Sequence, residues 1–187
     1  MDWINFICTI LGALLALAGS ILERKYSQYE NKKGDLIIYY KKTNIPLSNK
    51  LGWGFDSDCL FVPLYVDFVN TTNVNKVVRD FSLYLYNNDR KIKRLVQAAS
   101  IDGKEEKKFG VTKSRYSFLI EPKSVLSVDC MYLLKRSDIK TDEHFNRIMA
   151  CYCDENDHKI TCELAKIVFN NWTNDLFDID EEWLRLS

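Results

Sequence analysis

Twenty residues near the start of the chain, Trp3 to Leu22, carry no charge, and this run constrains the protein more than any other feature. A helix of that length reaches about 30 Å, the thickness of a bilayer's hydrocarbon layer. Its ten Ile, Leu and Phe side chains favour insertion by about 3–6 kcal/mol. A helix buried in a soluble core would carry a polar stripe, and none is visible. Ala16-Leu17-Ala18 followed by Gly19 also fits the small-x-small pattern of signal-peptide cleavage. Against cleavage, the residues before the run include Asp2 and no Lys or Arg, and the apolar run continues through Ile21 and Leu22. The segment therefore reads as a retained single-pass anchor, with a cleaved signal peptide or a buried helix as the alternatives.

The flanks orient it. Arg24, Lys25, Lys32 and Lys33 follow the run and no basic residue precedes it. The positive-inside rule then places the N-terminus outside and the remaining chain in the cytoplasm. Cleavage of the segment would instead give a secreted or extracytoplasmic domain. The same four cations are candidate contacts for anionic lipid headgroups, at about 1 kcal/mol each near the surface. Within the run, Cys8, Gly12, Ala16 and Ser20 recur every four residues. Small side chains at that spacing let two membrane helices approach closely, so Gly12, Ala16 and Ser20 are candidate helix-packing positions and a route to a homo-oligomer.

Beyond the anchor the pattern changes from helical to alternating. Residues 1–25 form the anchor and basic flank, 26–34 a polar connector, 35–174 a β-sandwich and 175–187 an acidic tail. Leu36 to Tyr40 is one expected strand. Cys59 to Val69 is a stronger one, with Leu60, Val62, Leu64, Val66 and Phe68 on one side and a local edge or bulge at Pro63. Val77 to Tyr86 alternates Phe81, Leu83 and Leu85 with polar residues, and Asn87-Asn88-Asp89 suits a hairpin into a returning strand, Lys91 to Ala98. Tyr116 to Ile120 and Val125 to Leu134 are expected to pair across Glu121-Pro-Lys-Ser124, as are Arg147 to Cys153 and Lys159 to Leu164 across Asp154–His158. Asn44 to Asp58 and Asp102 to Lys113 read as loops. Thr141 to Ile148 and the stretch from Leu176 could be short helices.

Seven or eight short strands of this kind fit a mainly β, immunoglobulin-like antiparallel sandwich preceded by a transmembrane helix and followed by a short C-terminal helix. The segment Phe118-Leu-Ile-Glu-Pro-Lys-Ser-Val-Leu-Ser-Val128 resembles the strand, proline turn, strand step of bacterial immunoglobulin-like domains. That resemblance implies a superfold and no particular activity.

Chemistry is thin. Only His144 and His158 are present, and no phosphate-cradling glycine loop, nucleophile elbow or zinc-protease motif occurs. Cys151, Cys153, His158 and Cys162 lie within one expected hairpin, but they alternate with apolar residues, as packing cysteines do. Asp56-Ser-Asp58 reads as a solvated acidic pair. An odd five cysteines outside the anchor suit a reducing compartment. Lys plus Arg equals Asp plus Glu at 26 each, so there is no global pull toward nucleic acid. The basic run Arg90-Lys-Ile-Lys-Arg94 reads as a solvated strand edge. Asn70-Thr-Thr72 and Asn171-Trp-Thr173 match the glycosylation pattern, and in a cytoplasmic domain they are chance matches.

The tail is the most suggestive feature after the anchor. Leu176, Ile179, Trp183 and Leu186 follow helical spacing among five acids, and such a face must be covered by its own domain or by a partner. These readings converge on a membrane-anchored, non-enzymatic interaction module, without cofactor or metal, that binds a protein through its sandwich or tail. A membrane-tethered sensor whose sandwich binds a small molecule is the alternative.

Overall fold

The computed structural model describes residues 3–43, 46–47, 50–51, 54–55, 58–97, 116–140, 143–167 and 182–186. Leu176, Ile179, Asp56, Asn171–Thr173 and the expected loop at 102–113 lie outside these. The described residues form one long helix, two large antiparallel sheets and a small two-stranded one, with a single 3-10 turn at Arg136–Asp138.

Helix α1 spans Trp3–Lys32, ten residues beyond the apolar run. The expected connector is therefore mostly helical. Glu23 to Lys32 contains neither glycine nor proline, and its Glu, Arg, Lys and Gln residues are good helix formers. The helix stops where Gly34 adopts φ 107°, a conformation open to glycine and strained for any other residue.

Thirteen strands follow: β1 (Leu36–Lys42), β2 (Pro46–Leu47), β3 (Lys50–Leu51), β4 (Gly54–Phe55), β5 (Cys59–Asn70), β6 (Lys76–Asn87), β7 (Arg90–Arg94), β8 (Val96–Gln97), β9 (Phe118–Ile120), β10 (Ser124–Lys135), β11 (Arg147–Cys153), β12 (Lys159–Lys166) and β13 (Trp183–Arg185). The first sheet runs β13-β1-β5-β10-β8, with β4 also on β5. The second runs β12-β11-β6-β7, with β9 also on β6, and β2 pairs only with β3.

Period-two patterning sets this architecture. Leu60, Val62, Leu64, Val66 and Phe68 are fully buried, and so are Phe81, Leu83 and Leu85 of the facing sheet. Phe68 meets Phe81 edge-on at 5.5 Å and stacks on Phe118 at 4.9 Å, an arrangement that adds to simple area burial. Two buried tyrosines pin the layers: Tyr132 donates to the Phe81 carbonyl at 3.1 Å and Tyr40 to that of Leu164 at 3.2 Å. Pro63 lies opposite Met131 of β10, between the β5 positions paired with Lys42 and Gly54.

Three expectations are corrected. Lys91 to Ala98 is not one returning strand, because the chain leaves the second sheet after Arg94 and joins the first as β8. Strands β9 and β10 do not pair with each other: β9 joins β6 and β10 joins β5. The proline turn, with Lys123 at φ 50°, therefore carries the chain between sheets. Lastly, the described part of 141–148 is not helical, and Arg147 already opens β11.

Candidate interaction surfaces

The tail departs furthest from expectation. Trp183–Arg185 is strand β13, antiparallel to β1 in the register Tyr39–Arg185, Tyr40–Leu184 and Lys41–Trp183. The Leu186 N–H continues the ladder to the Ile38 carbonyl at 2.8 Å. A C-terminal helix is thus replaced by a strand in the described residues. Sheet edges present unpaired N–H and C=O groups, and the tail fills part of one. Residues three apart share a helix face but stand on opposite faces of a strand. Accordingly Leu186 is buried in the core beside Ile38 and Tyr40, whereas Trp183 stays 46% exposed.

The apolar helix lies bare. Trp3, Phe6, Leu11, Leu14, Leu15, Leu17 and Leu22 are all more than half exposed. Gly12 has nothing within 4 Å of the place where a side chain would stand. Ala16 is likewise exposed, and the Ser20 hydroxyl turns back to the Leu17 carbonyl at 2.8 Å. The small-residue face is therefore unoccupied in the single chain. Arg24, Lys25 and Lys33 are exposed. Lys32 is the last residue of the helix.

Where α1 ends, the sandwich grips it. A side chain on Gly34 would come within 2.5 Å of the Thr71 carbonyl oxygen. Asp35 and Thr71 exchange three bonds: the Thr71 N–H to the Asp35 carbonyl at 2.9 Å, the Asp35 N–H to Thr71 Oγ1 at 2.7 Å, and that hydroxyl to the same carbonyl at 2.9 Å. Lys123 Nζ caps the Thr71 carbonyl at 2.7 Å and Asn73 reaches the Glu30 carbonyl at 3.2 Å.

Behind this junction sits Asn70, only 1% exposed. Its Nδ2 donates to the carbonyls of Val74 (2.8 Å), Ile120 (3.2 Å) and Glu121 (2.8 Å). Its Oδ1 accepts from the Thr72 N–H and hydroxyl, at 2.9 and 2.7 Å. Sequence reasoning took this stretch for a turn and a chance glycosylation match. It is the knot joining the β5–β6 loop to the β9–β10 turn, and its amide nitrogen is already committed. Only an Asn followed by polar residues hinted at the role.

The cysteines of the β11–β12 hairpin divide between its two faces. Ala150 pairs with Cys162 on the core face of β11 and β12, while Cys151 pairs with Thr161 on the other. Among the described residues no three His, Cys, Asp or Glu side chains converge on a possible metal position. Burial pushes the Cys130 thiol up to about 12. It also raises the Cys162 thiol, with Cys151 adding to the effect. In the basic run, Arg94 reaches Asp80 at 2.6 Å and Ser82 at 2.7 Å and lies over the Tyr116 ring at 4.7 Å. Lys91 stands 3.3 Å above the Tyr84 ring. Burial lowers its pKa first, and neighbouring Lys159 adds to that. These contacts keep Ser82 fully buried and Tyr84 8% exposed on the outward face.

A family model, the YopI Ig-like domain, matches residues 59–165. No curated protein and no solved structure matches the chain. The matched segment starts at the first residue of β5 and stops one residue short of the end of β12, so it takes in most of both large sheets and leaves out α1, β1 to β4 and β13. With more than half of its length inside that match and the two-sheet core described above, this chain belongs to the YopI Ig-like domain family.

Proposed function

We propose that the protein is a membrane-anchored, non-enzymatic interaction module that holds an immunoglobulin-like domain at the cytoplasmic face of a bilayer. The carrying observation is the apolar helix, Phe6–Asn31 by length and composition, none of whose apolar window is buried by the rest of the chain. So much exposed apolar surface needs a cover other than water. A signal sequence meets the same length and composition criteria, and two further features favour a retained span. Trp3 stands at one end and Tyr26 and Tyr29, both about two-thirds exposed, at the other. Trp3 and Tyr26 lie about 35 Å apart along the helix, the spacing of aromatic belts at two membrane interfaces. The helix also continues unbroken past Gly19 into the grip at Gly34. Arg24 and Lys25 at the domain side orient the N-terminus outward.

Immunoglobulin-like sandwiches lend themselves to protein binding, because loops and sheet edges can vary around a constant core. The experiment is fractionation of cells expressing the full chain. It is expected in membranes after alkaline carbonate extraction, with its C-terminus protected from protease in intact cells. A soluble mature form beginning near Gly19 would sink the proposal.

A further inference from the structure

The outer face of the first sheet keeps its opposite charges apart. Cross-strand partners stand on the same side of a sheet, so register fixes the rows of this face. One row reads Ser127 of β10, Asp67 of β5, Tyr39 of β1 and Arg185 of β13. The next reads Asp129, Tyr65, Lys41 and Trp183. Val69 and Ile37 form a third row nearest the end of α1. Acids thus occupy β5 and β10, and bases occupy β1 and β13. On the second sheet Arg94 pairs with Asp80 and Arg147 with Glu163. Here Asp67, Asp129 and Arg185 have no ion-pair partner among the described residues. Burial raises the Asp129 carboxyl, and no neighbouring cation offsets it. Asp129, Trp183 and Arg185 are all exposed.

We propose that this face is the contact between two copies of the chain, packed sheet on sheet about a two-fold axis that runs parallel to the strands, between β5 and β1. Such an axis sets each strand against the one equally far from the axis on its other side, at the same height. Arg185 then faces Ser127 of the second copy and stands beside its Asp67. Asp129 faces the indole N–H donor of the second Trp183, and Asp67 faces the phenol of the second Tyr39. Lys41 meets the second Tyr65 ring, and Val69 meets the second Ile37. No position opposes a like charge. A two-fold contact has to be self-complementary, and a face divided into an acidic and a basic half is. The one-sign run Arg90–Arg94 would instead repel its own copy.

An axis parallel to the strands also leaves both α1 ends at one end of the pair, as two helices in one bilayer require. The face measures about 20 Å by 20 Å, small for a dimer free in solution. Confinement in a membrane supplies the local concentration that the area alone does not, and to this extent the inference rests on the anchored reading above. Strands β1 and β13, which carry the basic half, lie outside the family match.

The test uses full-length chains carrying different tags, one with Ser127→Cys and one with Arg185→Cys, co-expressed in membranes. A bismaleimide of about 10 Å reach, the spacing of packed sheets, is expected to give a product with both tags. Replacing either position by Arg90→Cys, on the other sheet, should remove it. Asp67→Lys with Asp129→Lys in both chains makes the face wholly basic and should cut the product at least about fivefold. Confining those two changes to the Ser127→Cys chain and adding Lys41→Glu to the other should restore it. The contact is overturned if no product carries both tags, or if the Arg90→Cys control gives as much. It is equally overturned if reversal changes nothing in chains that melt like the unreversed ones. Should the reversed chains melt earlier, the comparison with Arg90→Cys, which needs no reversal, still decides. Alkaline extraction of the same membranes separates the two ideas. Product from a chain that washes off keeps the contact and removes the anchor, and a retained chain without product does the opposite.

Discussion

Asn70 is the residue on which the loops beside the end of α1 depend. All its polar atoms are used within a site 1% exposed, and removing them strands buried carbonyls without donors. Asn70→Ala is expected to destabilise the protein by about 2–4 kcal/mol in urea unfolding followed by tryptophan fluorescence. Asn70→Asp should do nearly as much harm, because it keeps the size and loses the donor. The cysteines make a second residue-level prediction. With burial holding Cys130 up at about 12 and raising Cys162, neither thiol is expected to react with maleimide at pH 8 until the domain unfolds. Labelling of folded protein followed by peptide mapping checks this. Asp154 offers a pH test. Desolvation raises its carboxyl, but N–H groups of His158 and Asn156 at 2.8 Å and the His158 ring at 3.1 Å outweigh this and hold it below 3.8. A depressed carboxyl contributes stability above its unfolded pKa and loses it as pH falls through the lower folded value. The β11–β12 turn is therefore expected to loosen only below about pH 4, later than an unpaired Asp would protonate. An NMR titration of the Asp154 carboxyl reads it directly.

Elements show where local preference yields to pairing. The tail carries residues at helical spacing, yet Trp183–Arg185 is a strand because the β1 edge supplies backbone partners. Leu186 and not Trp183 then does the packing. Leu186→Ala is expected to cost about 2–3 kcal/mol and Trp183→Ala less than about 1 kcal/mol, the reverse of what a docked helix would give. Thermal melts of the two variants distinguish them. At the other end, Gly34 joins helix to sandwich at φ 107° with a carbonyl 2.5 Å from any added Cβ. Gly34→Ala is expected to weaken this junction by more than about 1 kcal/mol. The readout is proteolysis: cleavage between Asn31 and Leu36 should speed up while the sandwich core stays intact.

For the molecule as a whole, the arrangement is a bare apolar helix gripped end-on by a sandwich whose two layers share one aromatic core. The family match covers β5 through nearly all of β12, while α1, β1 to β4 and β13 lie outside it. The apolar helix outside the match carries the proposed function. The grip at Gly34, Thr71 and Lys123 leaves only Lys33 between the last helical residue and the clamp. Under the proposed anchored arrangement, the domain is expected to have little freedom to swing about the end of α1.

Much of this was legible in one dimension, because it follows from spacing along the chain. An uncharged run of helix length, Leu60 to Phe68 alternating inward, Phe81 to Leu85 facing them and an Asn-rich hairpin at Asn88 all record local periodicity, and periodicity is a property of sequence. Partners are not. That β9 and β10 part across Pro122, that β7 and β8 belong to different sheets, and that Asn70 ties two loops together depend on which segments meet in space. The tail is the clearest case. Its acidic, apolar pattern suited a helix by itself, and only the unpaired backbone of β1, more than 140 residues earlier, made it a strand and sent Leu186 into the core.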